Sequence, residues 1–376
     1  MRRRAIPMAV CGALLVLSVG AAPALGAPAD QVAPSAPENL RCVGRPAPES
    51  PGPGWQVLPV WEWREVLRVE GTIGSNDGPY AVALDRHCAV YVTDAQHFQV
   101  IKLSPDGSTQ RWTLPGERAP GESSSPRGVA VDGQGNVYVT DTPRDRILKF
   151  SPRGEVVATW GECATPSEAN LYCDTKQPGR FIGPEGIAVD GQGHVYVAEA
   201  AGLRIQRLST NGQPEAVWNL DRLGALLIPG SLALDQGGFL YMSEGYNDQV
   251  AKFDPGSGAV VGRWGGQRSP EPGQFHLPLG VGVDAAGNLY VSDSGNWRVE
   301  KLAPDGAFLD QWRNCLDGDP PCAIPDAGEE PGQFFASRGI TVDGQGTVYV
   351  ADTANKRVQR LTIVDWVLIP PPDPDE

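Results

Sequence analysis

The sequence predicts an all-β protein: a six-bladed propeller of four-stranded antiparallel blades. Three observations predict it. A strand–turn–strand unit recurs six times with fixed internal spacing. Each of the first five copies is followed by two more strand patterns, the second ending in tryptophan. The last copy lacks a fourth strand, and an unmatched strand pattern stands ahead of the first. Self-similarity at a period of about 20–50 residues marks a repeat architecture, and four antiparallel strands per repeat make a propeller blade.

The copies align on the aspartate that closes the first strand of each: Asp85, Asp132, Asp190, Asp235, Asp284 and Asp343. Six residues earlier stands Pro79, Pro126, Pro184, Pro229, Pro278 or, in the last copy, Ser337. Nine residues later stands an acid: Asp94, Asp141, Glu199, Glu244, Asp293 or Asp352. Five further on comes Gln99, Arg146, Arg204, Gln249, Arg298 or Arg357. The second copy shows the elements. "GVAVD" at 128–132 and "NVYVTD" at 136–141 alternate as strands around the turn "GQG". Val and Tyr suit a half-buried pleated surface, and glycine supplies the positive φ of a tight hairpin. "RILKF" at 146–150 is the third strand, and "EVVATW" leads to Trp160 as the fourth. Trp112, Trp218, Trp264 and Trp312 end the matching strands and read as packing between blades. The turn aspartates read as turn formers, and the acid–arginine pairs as one repeated strand–loop contact. "EVLRVEG" at 65–71 resembles "EVVATWG" at 155–161, so this N-terminal strand is expected to complete the last blade and close the ring.

These units resemble NHL repeats: a Gly-led strand ending in Val-Asp, a Gly turn, a Val-Tyr-Val-x-Asp strand and an Asn/Arg-containing loop. "GITVDGQGTVYVADTANKRVQRL" at 339–361 fits nearly in full, and "LALDQGGFLYMSEGYNDQV" at 232–250 fits least. The resemblance covers 64–370 and implies the fold. It does not imply one activity, because such propellers include lyases, receptor sensor domains, RNA-binding modules and scaffolds.

Around the propeller, residues 1–27 read as an export signal: Arg2, Arg3 and Arg4, then an apolar run, then small residues. The run is short for a full membrane span. The expected location is therefore secreted, or extracytoplasmic. Residues 28–63 are a Pro-rich arm, and 371–376 an acidic Pro-rich tail. The spacings between successive aligned aspartates are 47, 58, 45, 49 and 59 residues. The two longest hold Cys163 with Cys173 and Cys315 with Cys322, so each is read as a disulfide-stapled insertion. Cys42 and Cys88 are left to pair, tying the arm to the first hairpin. The net charge of −14 argues against nucleic acid and anionic membranes as partners.

Blade-to-blade loops and the loops after second strands share one face, the top. The residue after each repeat proline should stand at the top mouth of the central channel: Tyr80, Arg127, Glu185, Gly230, Leu279 and Arg338. Arg338, Tyr80, Arg127 and Glu185 form a polar arc. Two arginines there can hold a carboxylate or phosphate, or else pair with neighbouring acids, Arg127 with Glu185. His276, just before Pro278, is a further pocket candidate. One group with this repeat, the peptidyl-hydroxyglycine amidating lyases, uses zinc held by histidines. Here only His97 and His276 fall on the top, and a site would need an acid such as Glu185. Asp317, Asp319, Asp326, Glu329 and Glu330 offer oxygen ligands for calcium but read as a solvated acidic loop. No cofactor is expected. No nucleophile elbow, His-Glu-x-x-His or phosphate loop is present. The expected function is an extracellular, monomeric binding or scaffold module whose top face takes a peptide, glycan or small anion. The alternative is a lyase-like or hydrolytic enzyme at the channel mouth.

Overall fold

The computed structural model describes residues 56–69, 78–116, 126–161, 177–220, 229–313 and 330–369. They form six four-stranded antiparallel sheets. The innermost strands are Pro79–Leu84, Pro126–Val131, Pro184–Val189, Pro229–Leu234, Pro278–Val283 and Ile340–Val342. Each packs beside the next, and the sixth packs beside the first, so the ring is closed. The propeller predicted from the repeat is the observed fold.

Burial follows position within the blade. All six second strands, Val90–Asp94 and its equivalents, are buried along their whole length. Fourth strands such as Thr109–Thr113 are largely exposed. Each blade is covered on both faces by its neighbours, which is why Val-Tyr-Val recurs in the second strand without a polar face. The cores lie between blades. Tyr91 and Trp112 of the first blade share one cluster with Val137 and Phe150 of the second. Trp112 stacks on Phe150 with centroids 5.9 Å apart. The turn glycine Gly154 of the second blade sits against the Trp112 ring, where a Cβ would collide. The expectation that the tryptophans seal adjacent blades holds in this geometry.

The turn aspartates each tie a hairpin. Asp132 accepts the amides of Gln134 at 2.9 Å and Asn136 at 2.8 Å, and the Tyr138 hydroxyl at 3.1 Å. Burial, with the Asp132 charge beside it, pushes the Tyr138 phenol well above its ordinary range. It therefore stays a donor at any physiological pH.

The N-terminal strand does close the sixth blade. Gln56–Arg68 pairs antiparallel with Arg357–Ile369, from Gln56 opposite Ile369 to Arg68 opposite Arg357. Pairing thus starts at Gln56, inside the stretch read as arm, because residues 362–369 prolong the partner strand past the repeat. Leu67 and Val69 join a core with Val92 of the first blade and Tyr349 and Val358 of the sixth. The N-terminal strand thus covers the edge that Arg357–Ile369 would otherwise leave open at the seam.

Inner strands approach so closely that the residue two after the repeat proline must be small. A Cβ on Gly280 would collide with the Arg338 carbonyl, whereas one on Gly133, in an exposed turn, would meet nothing within 4 Å. Gly280→Ala is expected to destabilise the fold by about 1–3 kcal/mol through overpacking. Gly133→Ala is expected to be neutral or stabilising by up to about 1 kcal/mol. Denaturant midpoints of the two variants check this; equal midpoints would show that the inner ring is not tightly packed.

Candidate functional site

The top face is built on a buried acid at the end of each second strand, held by arginine in four blades and by glutamine in the first and fourth. Asp94, Asp141, Glu199, Glu244, Asp293 and Asp352 are fully buried at the ends of the second strands. Arg204 Nε donates to Glu199 at 2.8 Å, Arg298 Nε to Asp293 at 2.7 Å and Arg357 Nε to Asp352 at 2.8 Å. The same arginines reach the loop arriving from the previous blade. Arg204 donates to the Arg180 carbonyl at 2.6 Å, and Arg357 to the Glu330 and Gln333 carbonyls, each at 2.9 Å. The acids accept amides from those loops: Ile182 on Glu199 at 2.8 Å, His276 on Asp293 at 2.7 Å, Phe335 on Asp352 at 2.8 Å. Burial pushes Glu199, Asp293 and Asp352 above the ordinary carboxylate range, against the arginines that hold them down. The acid–arginine spacing is therefore the strand–loop contact expected of it.

In three blades a hydroxyl clasp sets the start of the inner strand. The Thr93 hydroxyl accepts the Ala81 amide at 2.9 Å and donates to the Arg127 carbonyl of the next blade at 2.6 Å. Thr140 does the same between Gly128 and the Glu185 carbonyl, and Ser243 between Ser231 and the Leu279 carbonyl. The clasped carbonyls belong to the residues that ring the channel mouth.

All six of those positions, Tyr80, Arg127, Glu185, Gly230, Leu279 and Arg338, line one cavity of about 440 Å³ at the channel. That is within the range of small-molecule sites. The four polar residues form a connected arc. Arg338 Nη1 donates to the Tyr80 hydroxyl at 2.9 Å, and that hydroxyl donates to Glu185 Oε2 at 3.2 Å. Arg127 is ion-paired with Glu185. The Tyr80 ring lies between the two guanidiniums, 5.3 Å from Arg127 and 4.5 Å from Arg338. The pairing of Arg127 with Glu185 is thus realised, and it takes Arg127 out of the expected two-arginine clamp. Arg338 has no carboxylate within ion-pair distance among the described residues, and its Nε–H is buried without a hydrogen-bond partner among them. The arc carries one net positive charge, centred on Arg338.

The facing wall is apolar. Leu277, Leu279 and Tyr246 line it, and Tyr246 is 51% exposed. Tyr246 was not singled out from the sequence. The signal was available: two residues after the buried acid the other copies have Gln96, Pro143, Ala201, Gly295 and Ala354, and only this one an aromatic.

His276 does not join the arc and does not line the cavity. Its ring packs over Gly295 instead, where a Cβ would lie 2.6 Å from its Nδ1. His97 is tied to Asp94 at 2.7 Å, and His194 to Asp190 at 2.8 Å. Among the described residues no group of three His, Cys, Asp or Glu side chains is placed to share a metal ion. A zinc site from His97, His276 and Glu185 does not fit this arrangement. Glu330 serves the sixth blade through its carbonyl. Asp317, Asp319, Asp326 and Glu329 lie outside the described residues, as do Cys42, Cys163, Cys173, Cys315 and Cys322, the leader and the tail. Cys88 stands in the first hairpin turn at φ 67°.

The sequence model of the NHL repeat matches residues 124–150 and 338–361. The chain carries NHL repeats. Curated relatives include NHL repeat-containing protein 3 of Mus musculus, 30% identical over 26% of this chain and 28% of that protein. Peptidyl-glycine alpha-amidating monooxygenase A of Xenopus laevis is 31% identical over 35% of this chain and 14% of its own. These matches therefore span less than a third of the relatives' own length. Among solved structures, virginiamycin B lyase from Staphylococcus aureus superposes with a TM-score of 0.52, at 17% identity, over 81% of this chain and all of its own. A gluconolactonase of Xanthomonas campestris gives 0.54 at 16% identity over 86% and 99%. At such identity the structural likenesses speak for the fold alone.

Arg204→Ala strands the Glu199 charge in the core and is expected to cost about 3–5 kcal/mol at pH 8. The cost should shrink at pH 5. A carboxyl whose folded pKa lies above its unfolded value contributes stability that falls as pH rises between the two. Chemical denaturation at both pH values tests this, and an equal loss at each would clear Glu199 of the role. In the first hairpin, peptide mapping without reduction should recover Cys42 linked to Cys88; a different partner for Cys88 would refute that pairing.

Proposed function

We propose that this NHL propeller is a secreted binding module that takes a small carboxylate-bearing ligand, such as a peptide terminus or an organic acid, at the top mouth of its channel. One observation carries the reading: Arg338 presents an uncompensated positive charge and an unused buried N–H at the rim of the cavity. A buried donor left without a partner costs free energy, and an incoming carboxylate supplies the partner. Glu185 and Tyr80 hold the arc in shape before the ligand arrives, so little ordering is needed on binding. With Arg127 neutralised by Glu185, the arc matches one negative charge better than two. Leu277, Leu279 and Tyr246 offer apolar surface to the body of the ligand. Export, read from the first 27 residues, would place this site outside the cytoplasm.

A second reading keeps the same mouth and makes it an enzyme. Similarity to amidating monooxygenases over about a third of the chain favours it. Among the described residues the histidines do not assemble the metal set that such a lyase reaction would use.

Calorimetric titration with N-acetylphenylalanine and with its neutral amide tests the binding reading. The acid is expected to bind, and the amide at least about tenfold more weakly, since one charge-assisted hydrogen bond contributes about 1.5–3 kcal/mol. Arg338→Ala should erase the difference. Equal binding of acid and amide, or an Arg338→Ala protein that still prefers the acid, would remove Arg338 as the anchor.

A further inference from the structure

Blade five breaks a pattern that blades three and six share. In blade three, Gln206 lies two residues beyond the locking Arg204. Its amide nitrogen donates to Glu199 and to the Arg180 carbonyl, both at 2.6 Å, while its oxygen accepts the Gly179 amide at 2.8 Å. In blade six, Gln359 repeats this with Asp352 at 3.0 Å, the Gln333 carbonyl at 2.7 Å and the Gly332 amide at 2.8 Å. The equivalent residue in blade five is Glu300, fully buried.

Glu300 reproduces the acceptor half of the glutamine pattern: its Oε2 accepts the Gly273 amide at 3.2 Å. Its Oε1 stands where the glutamines carry donors. That oxygen has no hydrogen-bond partner among the described residues. Arg298 Nη1 is 3.0 Å away, but its two N–H groups point to the Pro270 carbonyl at 2.7 Å and Gln311 Oε1 at 2.8 Å. The remaining N–H groups of Arg298 serve Asp293, the Glu271 carbonyl and the Gln274 carbonyl. One arginine with all its donors engaged is left to balance two buried carboxylates.

We propose that Glu300 is a neutral acid in the folded protein, its Oε1–H replacing the glutamine amide as donor to Asp293, and that its ionisation unlatches the loop over residues 266–277. That loop ends at Leu277, on the apolar wall of the channel mouth. The latch does not depend on what the channel binds.

The charged groups around Glu300 are Arg298 and Asp293 in its own sheet and Arg313 after the outer strand. Burial is the largest influence and, with Asp293, outweighs the two arginines, pushing the carboxyl up to about 8. The folded state therefore holds a proton that the unfolded chain releases near pH 4.5. Stability falls as pH rises between those values and levels off above the upper one. The loop also carries Arg268, Glu271 and His276. Glu300→Gln leaves all three in place, so any pH dependence they impose survives in that variant.

Amide hydrogen exchange, corrected for intrinsic rates and followed from pH 6 to 9.5, tests the latch. In the native protein the amides of Gly273, His276 and Leu277 should lose about tenfold in protection with a midpoint near pH 8. In Glu300→Gln they should stay protected throughout. The reverse change, Gln359→Glu, should import an alkaline loss into the loop over residues 330–337. The proposal is overturned if native protection is flat with pH, if Glu300→Gln keeps the alkaline loss or fails to fold, or if Gln359→Glu leaves its loop unchanged.

Discussion

The buried acid–arginine lock is the interaction on which the rest of this propeller depends. Packing holds the sheets side by side, but something must also fix the loop that carries the chain from one to the next. The lock does so because each arginine is shared: Nε holds the carboxylate of its own blade while the outer nitrogens hold carbonyls of the loop arriving from the previous one. Burying such a charge is expensive, and it is tolerated because the arginine donors are engaged: all five N–H groups of Arg298 find acceptors. The result is a top face whose loops are anchored at their bases rather than left to find their own positions.

On that frame the channel mouth varies freely. Proline, the small residue two places after it, the hydroxyl clasp and the lock all serve the ring. The residue after the proline serves the ring only through its backbone, and its side chain faces the lumen. Tyr, Arg, Glu, Gly, Leu and Arg occupy this place in turn, and so a near-uniform scaffold acquires a charged half and an apolar half. Arg127 and Glu185 spend their charges on each other, and Arg338 keeps its own. Glu300 shows the reverse situation, a variation inside the lock itself. One oxygen in place of an amide nitrogen stands there without a hydrogen-bond partner among the described residues.

The fold was legible because its cause is local and repeated. Val-Tyr-Val strands, Gly turns and an acid nine residues after an aspartate are short-range features, and six copies average out the exceptions. The closing strand was legible in kind but not in extent: the match of 65–71 to 155–161 located it, whereas pairing back to Gln56 needed the continuation of its partner beyond the repeat. Position along the inner strand also located the channel residues. His276 failed for a related reason. Proximity to Pro278 placed it near the mouth, but the turn directs its ring onto Gly295.

The sequence by itself determined the six blades, the antiparallel order within them, the seam, and the six side chains that ring the channel. Each follows from spacing along the chain. Only the tertiary structure decided how those side chains share charge. Arg338 and Tyr80 are 258 residues apart and meet only because the ring closes. Whether an arginine is spent on a neighbouring acid, or a buried carboxyl lacks a donor, depends on distances between blades, and no periodicity in a single chain encodes them.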